Sequence, residues 1–191
     1  MRRLSASIVA ASLLVAGVSA QAETVKVGLI APFSGGFAIW GQQFQQAVKA
    51  YQAVNGDSVK GNKIELIYRD VGGPDPAKAR QLAEELVLRE RVKFLTGFAF
   101  SNNSMAVAEV ITEAKIPTII MNAATARITR LSPYYVRASM TLPQHAFGMA
   151  TWAAKNGIKK VYVLVSDYAP GHDAEKQFIK TFTKDGGTIV G

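Results

Sequence analysis

Apolar positions along this chain change period in a repeating order. Thr24 to Ile30 alternate and then run apolar, as a strand does, and Ala31 to Gly41 follow with the proline, serine and paired glycines of a loop. From Trp40 the positions Phe44, Ala47, Val48, Tyr51 and Val54 recur at three and four, which predicts a helix closed by Asn55-Gly56. The order then repeats. Lys63 to Asp70 read as a strand, and Asp75-Pro76 opens a helix whose buried stripe is Ala79, Leu82, Ala83 and Leu86. Val92 to Thr96 form a third strand with a helix from about Asn103 to Ala114. Pro117 to Met121 form a fourth, followed by a polar loop from Asn122 to Arg130. Strands alternating with helices predict an α/β fold with a mostly parallel sheet covered by helices on both faces, because parallel strands need crossovers and buried strands read as apolar runs.

Tyr134 to Ala138 read as extended, and past Pro143 the order restarts. A helix is expected from Gln144 to Asn156, a strand from Lys160 to Ser166, a helix from about Asp173 to Lys184 and a strand from Thr188 to Val190. A domain boundary is expected near Ser139 to Leu142, with one continuous sheet as the alternative. The residues Gly186 to Gly191 read as a turn and a strand with no closing helix. The expected organisation is therefore a full N-terminal domain over 23–139 and a truncated second one over 140–191.

The first 22 residues follow a different pattern. Arg2 and Arg3 precede the small, apolar run Ile8 to Val18, and Ala20-Gln21-Ala22 supplies a small-x-small site. These are the parts of a secretory signal cleaved after Ala22, and the run is short of the roughly 18 to 20 residues that cross a bilayer. The sequence contains no cysteine, so neither a disulfide framework nor lipidation through an N-terminal cysteine is available. Loss of Arg2 and Arg3 lowers the formal charge from +8 to +6. The remaining cations are scattered, without the clustered, aromatic-interleaved pattern of a nucleic-acid binder.

Enzyme signatures are missing: no phosphate-wrapping G-x-x-x-x-G-K-[ST], no G-x-G-x-x-G after the first strand and no G-x-S-x-G elbow. His145 and His172 lack the spacing of helical metal ligands, so neither a metal nor a cofactor is expected. Polar residues gather just after the strands instead: Ser34-Gly35-Gly36, Ser101-Asn102-Asn103-Ser104, Asn122 with Thr125, and Asp167-Tyr168. In an open α/β sheet these ends share one edge, where ligands settle. Hydroxyls beside helix N-termini suit a carboxylate. Each has a plainer reading: Ser101 or Asn102 as a helix cap, Trp40 as packing at the start of its helix, Thr125 as a turn residue.

At these loops the sequence resembles the periplasmic solute-binding proteins of branched-chain amino-acid ABC transporters, the leucine/isoleucine/valine-binding type. The resemblance runs from about Val25 to Gly191. It is carried by Val27 to Gly35 with Trp40-Gly41, by Asp70 with Asp75-Pro76, by Gly97 leading to Ser101, by Ile116-Pro117 with Asn122-Ala123-Ala124-Thr125, and by Ser166 to Gly171. It implies a type I periplasmic-binding-protein fold, here one full lobe and the start of a second, closing on a solute without chemistry. The implied partners are a small carboxylate or amino-acid ligand and an inner-membrane ABC permease, and the protein is expected to be a periplasmic monomer. By position, Ser101 and Thr125 would hold the ligand carboxylate, Ala123 would offer a backbone contact to the ammonium, and Trp40 would pack on the ligand side chain. Tyr168 lies in the loop closing from the other lobe, although Pro170 stands where the family's tyrosine sits. Phe100 replaces a family cysteine, and a wider aromatic lining of Phe98, Phe100 and Trp40, which read equally as plain core at Phe98 and Phe100, would suit a larger or aromatic carboxylate as the alternative; a branched-chain or related amino acid is the ligand the resemblance implies. A sensor on the same fold and a secreted hydrolase completed past Gly191 are the alternatives.

Overall fold

A computed structural model describes residues 23–191, so the expected signal sequence and its cleavage after Ala22 lie outside the described residues. The chain runs β1 (Thr24–Ala31), α1 (Ala38–Asn55), β2 (Ser58–Val59), β3 (Asn62–Asp70), α2 (Pro76–Leu88), β4 (Phe94–Gly97), α3 (Ser101–Ala114), β5 (Thr118–Ile120), β6 (Tyr135–Arg137), α4 (Leu142–Lys155), β7 (Lys160–Val161), α5 (Ala169–Lys184) and β8 (Thr188–Ile189). The first six strands form one sheet in the order β2-β3-β1-β4-β5-β6. Every pairing in it is parallel except the short β2–β3 hairpin.

The apolar run in β1 is explained by its central place. Leu29 packs with Phe44 and Trp40 beneath α1, while Ile30 packs with Leu86, Leu95, Val107 and Ile111 beneath α2 and α3. Neighbouring side chains on a strand point to opposite faces, so helices cover both. Leu29, Leu86, Leu95 and Ile111 are all fully buried, each contributing about 1.5–3 kcal/mol. Asp75 caps α2 as its spacing suggests, its side chain accepting from the Lys78 N–H at 2.9 Å with Pro76 following in the first turn.

Several elements differ from expectation. The extended Tyr134 to Ala138 segment joins the sheet as its parallel edge strand β6, anchored where the buried Tyr135 hydroxyl donates to the Ser104 carbonyl; burial raises the Tyr135 pKa. The hairpin through Lys60 and Gly61, both at positive φ, carries β2, which hydrophobic patterning does not reveal because Ser58 and Val59 are exposed. The strand expected over Lys160 to Ser166 is paired only at Lys160 and Val161, and Tyr162 and Leu164 beyond it are exposed. Helix α5 begins at Ala169, four residues earlier than Asp173, because Pro170 fits the first turn. Among the described residues β7 and β8 pair only with each other, so the strands form two separate sheets and not one continuous one. Helices α4 and α5 pack over this small sheet through Ala150, Ala153 and Phe182. No described helix is long and apolar enough to cross a membrane.

Candidate functional site

The ends of β1, β4, β5 and β6 open onto one cavity of about 370 Å³. Trp40, Phe100, Ser101, Asn122 and Ser139 line it from the large sheet, and His145, Tyr168 and Pro170 from the elements that follow. Glycine geometry sets two of these positions. Gly41 donates its N–H to the Pro32 carbonyl at 3.1 Å, and a Cβ there would lie 2.2 Å from that oxygen. Only glycine lets α1 close onto the loop after β1, which brings the adjacent Trp40 to the cavity wall. At Gly97, φ is +104° and a Cβ would lie 2.3 Å from the Ile30 carbonyl oxygen. The buried Phe98 also takes positive φ, +62°, an arrangement bulky residues seldom adopt. This pair of left-handed residues bends the chain out of β4 and into α3 with Ser101 as the first helical residue.

Ser101 does not cap its helix. The N-cap is Phe100, which makes no side-chain cap bond, and Asn102 Oδ1 accepts from the neighbouring Asn103 N–H at 3.0 Å. Instead the Ser101 hydroxyl, 1% exposed, accepts the Thr125 backbone N–H at 3.1 Å. With its oxygen already accepting, its proton remains to be donated, at the positive end of α3. That arrangement suits an anionic oxygen.

Thr125 and Ala123 lie just behind the wall, which their neighbours Asn122 and Ala124 line. The Ala123 N–H donates to the Phe98 carbonyl at 2.9 Å, and its own carbonyl accepts from the Arg137 guanidinium. Both backbone groups of Ala123 are therefore engaged within the protein, with one lone pair of its carbonyl oxygen still open. The same guanidinium donates to the Thr125 carbonyl at 2.6 Å. The Thr125 hydroxyl is buried and has no hydrogen-bond partner among the described residues. Burial lowers the Arg137 pKa and Asp173 acts against it. Asp173, on α5, also accepts the Ala126 N–H at 2.9 Å, tying that helix to the loop after β5. Arg137 and Asp173 escaped sequence reasoning; the available signal was a lone cation ending an apolar strand.

Beside Ser101 the walls are aromatic. Trp40 packs with Phe33, Phe44 and Phe100, and Phe100 meets Phe37 edge to face at 5.0 Å. Phe98 belongs to the main core and not to the lining. Tyr168 is 47% exposed and lines the cavity together with Pro170. The loop beneath Trp40 is held by Asp70, whose Oδ1 accepts the Phe33 N–H at 2.7 Å and the Gly72 N–H at 2.8 Å. Burial raises the Asp70 pKa, but the bonds from Ser34, Phe33 and Gly72 outweigh it and hold the carboxyl below its ordinary value. A second cavity, about 510 Å³, lies between α4, α5 and the chain after β7; Leu142, Met149, Leu164 and Phe178 make it mainly apolar, and it contains no serine or threonine. Among the described residues no three histidine or acidic side chains are grouped to hold a metal ion.

The family model described as periplasmic binding protein matches residues 24–191. A curated relative from Brucella abortus (strain 2308), the Leu/Ile/Val-binding protein homolog 6, is 43% identical over 190 residues, covering 100% of this chain and 48% of the relative. Thus the chain spans about half the length of the curated relatives it matches. Among solved structures, the solute-binding protein of an ABC transporter from Rhodopseudomonas palustris BisB5, in complex with 3,4-dihydroxybenzoic acid, is 47% identical with a TM-score of 0.85, over 87% of this chain and 46% of that one. An ABC transporter solute-binding protein from R. palustris in complex with 4-hydroxybenzoate is 45% identical with a TM-score of 0.86, over 88% of this chain and 46% of that one.

Proposed function

This chain belongs to the periplasmic binding protein family, and from that premise we propose that it captures a small aromatic carboxylate for an ABC importer. The observation that carries the reading is the buried Ser101 hydroxyl, fixed by the Thr125 N–H with its proton free, beside the aromatic side chains of Trp40 and Phe100. The hydroxyl and the start of α3 neutralise the carboxylate, and the flat walls accept a ring. Thr125 stands behind Ser101 as its support, and Tyr168 faces the ligand from the loop before α5. The similarity to the two R. palustris proteins bound to hydroxylated benzoates supports this choice of ligand.

The proposed protein works in the periplasm, delivered by the signal at 1–22, and hands its solute unaltered to an inner-membrane permease. Its residues 23–139 act as one ligand-binding lobe and 140–191 as part of a second, with closure about the chain near Ala138 to Met140. An aliphatic amino acid is the second reading, favoured by the similarity to the Leu/Ile/Val-binding homolog. Calorimetric titration of the full-length protein with benzoate, 4-hydroxybenzoate and leucine separates them. Tight binding of a benzoate with no heat from leucine supports the first reading; the reverse replaces it with the second.

A further inference from the structure

We propose that Asp173 is the latch that holds α5 closed over the ligand, and that it couples this closure to Ser101 through the loop after β5; this rests on the lobe-closure reading above. The main-chain groups of that loop, Ala123 to Ala126, are held from two sides. On the side of the large sheet, the Ala123 N–H donates to the Phe98 carbonyl at 2.9 Å and the Thr125 N–H to Ser101 Oγ at 3.1 Å. The Arg137 guanidinium donates to the Ala123 carbonyl and, at 2.6 Å, to that of Thr125. On the other side, the Ala124 carbonyl accepts the Leu142 N–H at 3.0 Å, and the Ala126 N–H donates to Asp173 Oδ2 at 2.9 Å.

These last two partners differ in kind. Leu142 opens α4 just past the crossover from β6, so the chain keeps it near the loop whatever the lobes do. Asp173 lies 47 residues from Ala126 and reaches it only because α5 rests against the large sheet's loops. Tyr168 and Pro170, at the start of the same helix, line the cavity with Ser101 and Trp40. Seating the first turn of α5 over the cavity and joining Asp173 to Ala126 are therefore one movement. Asp173 also lies near enough to the half-buried Arg137 guanidinium to stabilise its charge. Closure thus supplies an acceptor to a main-chain donor and an anion to a partly desolvated cation, both favourable. From Asp173 the contacts run without a gap to the site: Ala126 is bonded to Thr125, whose N–H fixes the Ser101 oxygen. A ligand that needs Ser101 in that position favours the loop conformation that Asp173 binds, and by linkage Asp173 favours the ligand to the same degree.

The test compares the full-length protein with its Asp173→Ala variant, using whichever of benzoate, 4-hydroxybenzoate and leucine the wild type binds most tightly by calorimetry. The variant is expected to bind about tenfold more weakly. Stopped-flow kinetics should place the loss in dissociation, with association changed less than about twofold, because the bond forms after encounter. Asp173→Asn, which keeps one acceptor oxygen, should lose less than the alanine variant. Without ligand the latch is open, so the variants should melt with wild type, and only their ligand-bound midpoints should fall. Wild-type affinity in Asp173→Ala, or a midpoint that falls equally with and without ligand, makes the contact a fixed brace and overturns the proposal. Wild-type protein that binds none of the three ligands removes the capture reading itself and the latch with it, a result visible before any variant is made.

Discussion

Replacing Ser101 by alanine removes one oxygen with two jobs. It accepts the buried Thr125 N–H at 3.1 Å, and in the proposed site it donates to the ligand carboxylate. Loss of the first leaves a main-chain donor unpaired where Ser101 and Thr125 are each 1% exposed, a cost of about 1–3 kcal/mol in stability. Loss of the second removes a hydrogen bond to a charged group, about 1.5–3 kcal/mol, or about 10- to 150-fold in affinity. The two effects appear in separate assays: urea unfolding without ligand reads the first, and calorimetry on the folded variant reads the second. Restoring a hydroxyl with Ser101→Thr recovers part of the affinity only if the added methyl fits the wall. A Ser101→Ala protein that is destabilised yet binds every ligand with wild-type affinity would refute the carboxylate role and leave Ser101 as a support for the Thr125 loop alone.

Other outcomes follow from the same geometry. Gly97→Ala is expected to lower unfolding free energy by about 2 kcal/mol or more, because its Cβ meets the Ile30 carbonyl oxygen at 2.3 Å and its φ is +104°; chemical denaturation within about 0.5 kcal/mol of wild type contradicts the bend described after β4. Asp70 has a carboxyl pKa held below its unfolded value, so its contribution to stability is complete above about pH 4 and lost as pH falls through the folded-state value. Wild type should therefore lose more stability than Asp70→Asn between about pH 6 and pH 3, and equal losses count against the role of Asp70 in holding the first loop. Trp40 stands in the cavity wall while Trp152 is exposed on α4, so ligand addition to the full-length protein should change tryptophan emission less in Trp40→Phe than in Trp152→Phe. The opposite pattern moves the ligand away from Trp40.

Much of the fold was legible because its signals are local. The three- and four-residue apolar recurrence in α1 and α2, the Asp75-Pro76 opening and the apolar runs of β1 and β5 are each contained in a few residues, and the alternation they make leaves a parallel sheet as the simplest solution. The shared strand edge followed from topology, so Ser101 and Trp40 could be named as candidates before their surroundings were known. What escaped reading depends on contacts distant in sequence. Ser101 read equally as a cap or a ligand contact because its partner, Thr125, lies 24 residues away. The bond from Arg137 to the Ala123 carbonyl joins residues 14 apart. The short pairing of β7 reflects what lies beside it in space, which hydrophobicity along Lys160 to Ser166 does not encode.

The central claim is that a ring carboxylate sits with its anionic end on Ser101 and its face against Trp40. A crystal structure of the full-length protein grown with 4-hydroxybenzoate tests it most directly. The expected result is a carboxylate oxygen about 2.7 Å from Ser101 Oγ and the ring packed on Trp40 and Phe100. A ligand lying in the apolar cavity between α4 and α5, or one with its carboxylate turned away from Ser101, contradicts it.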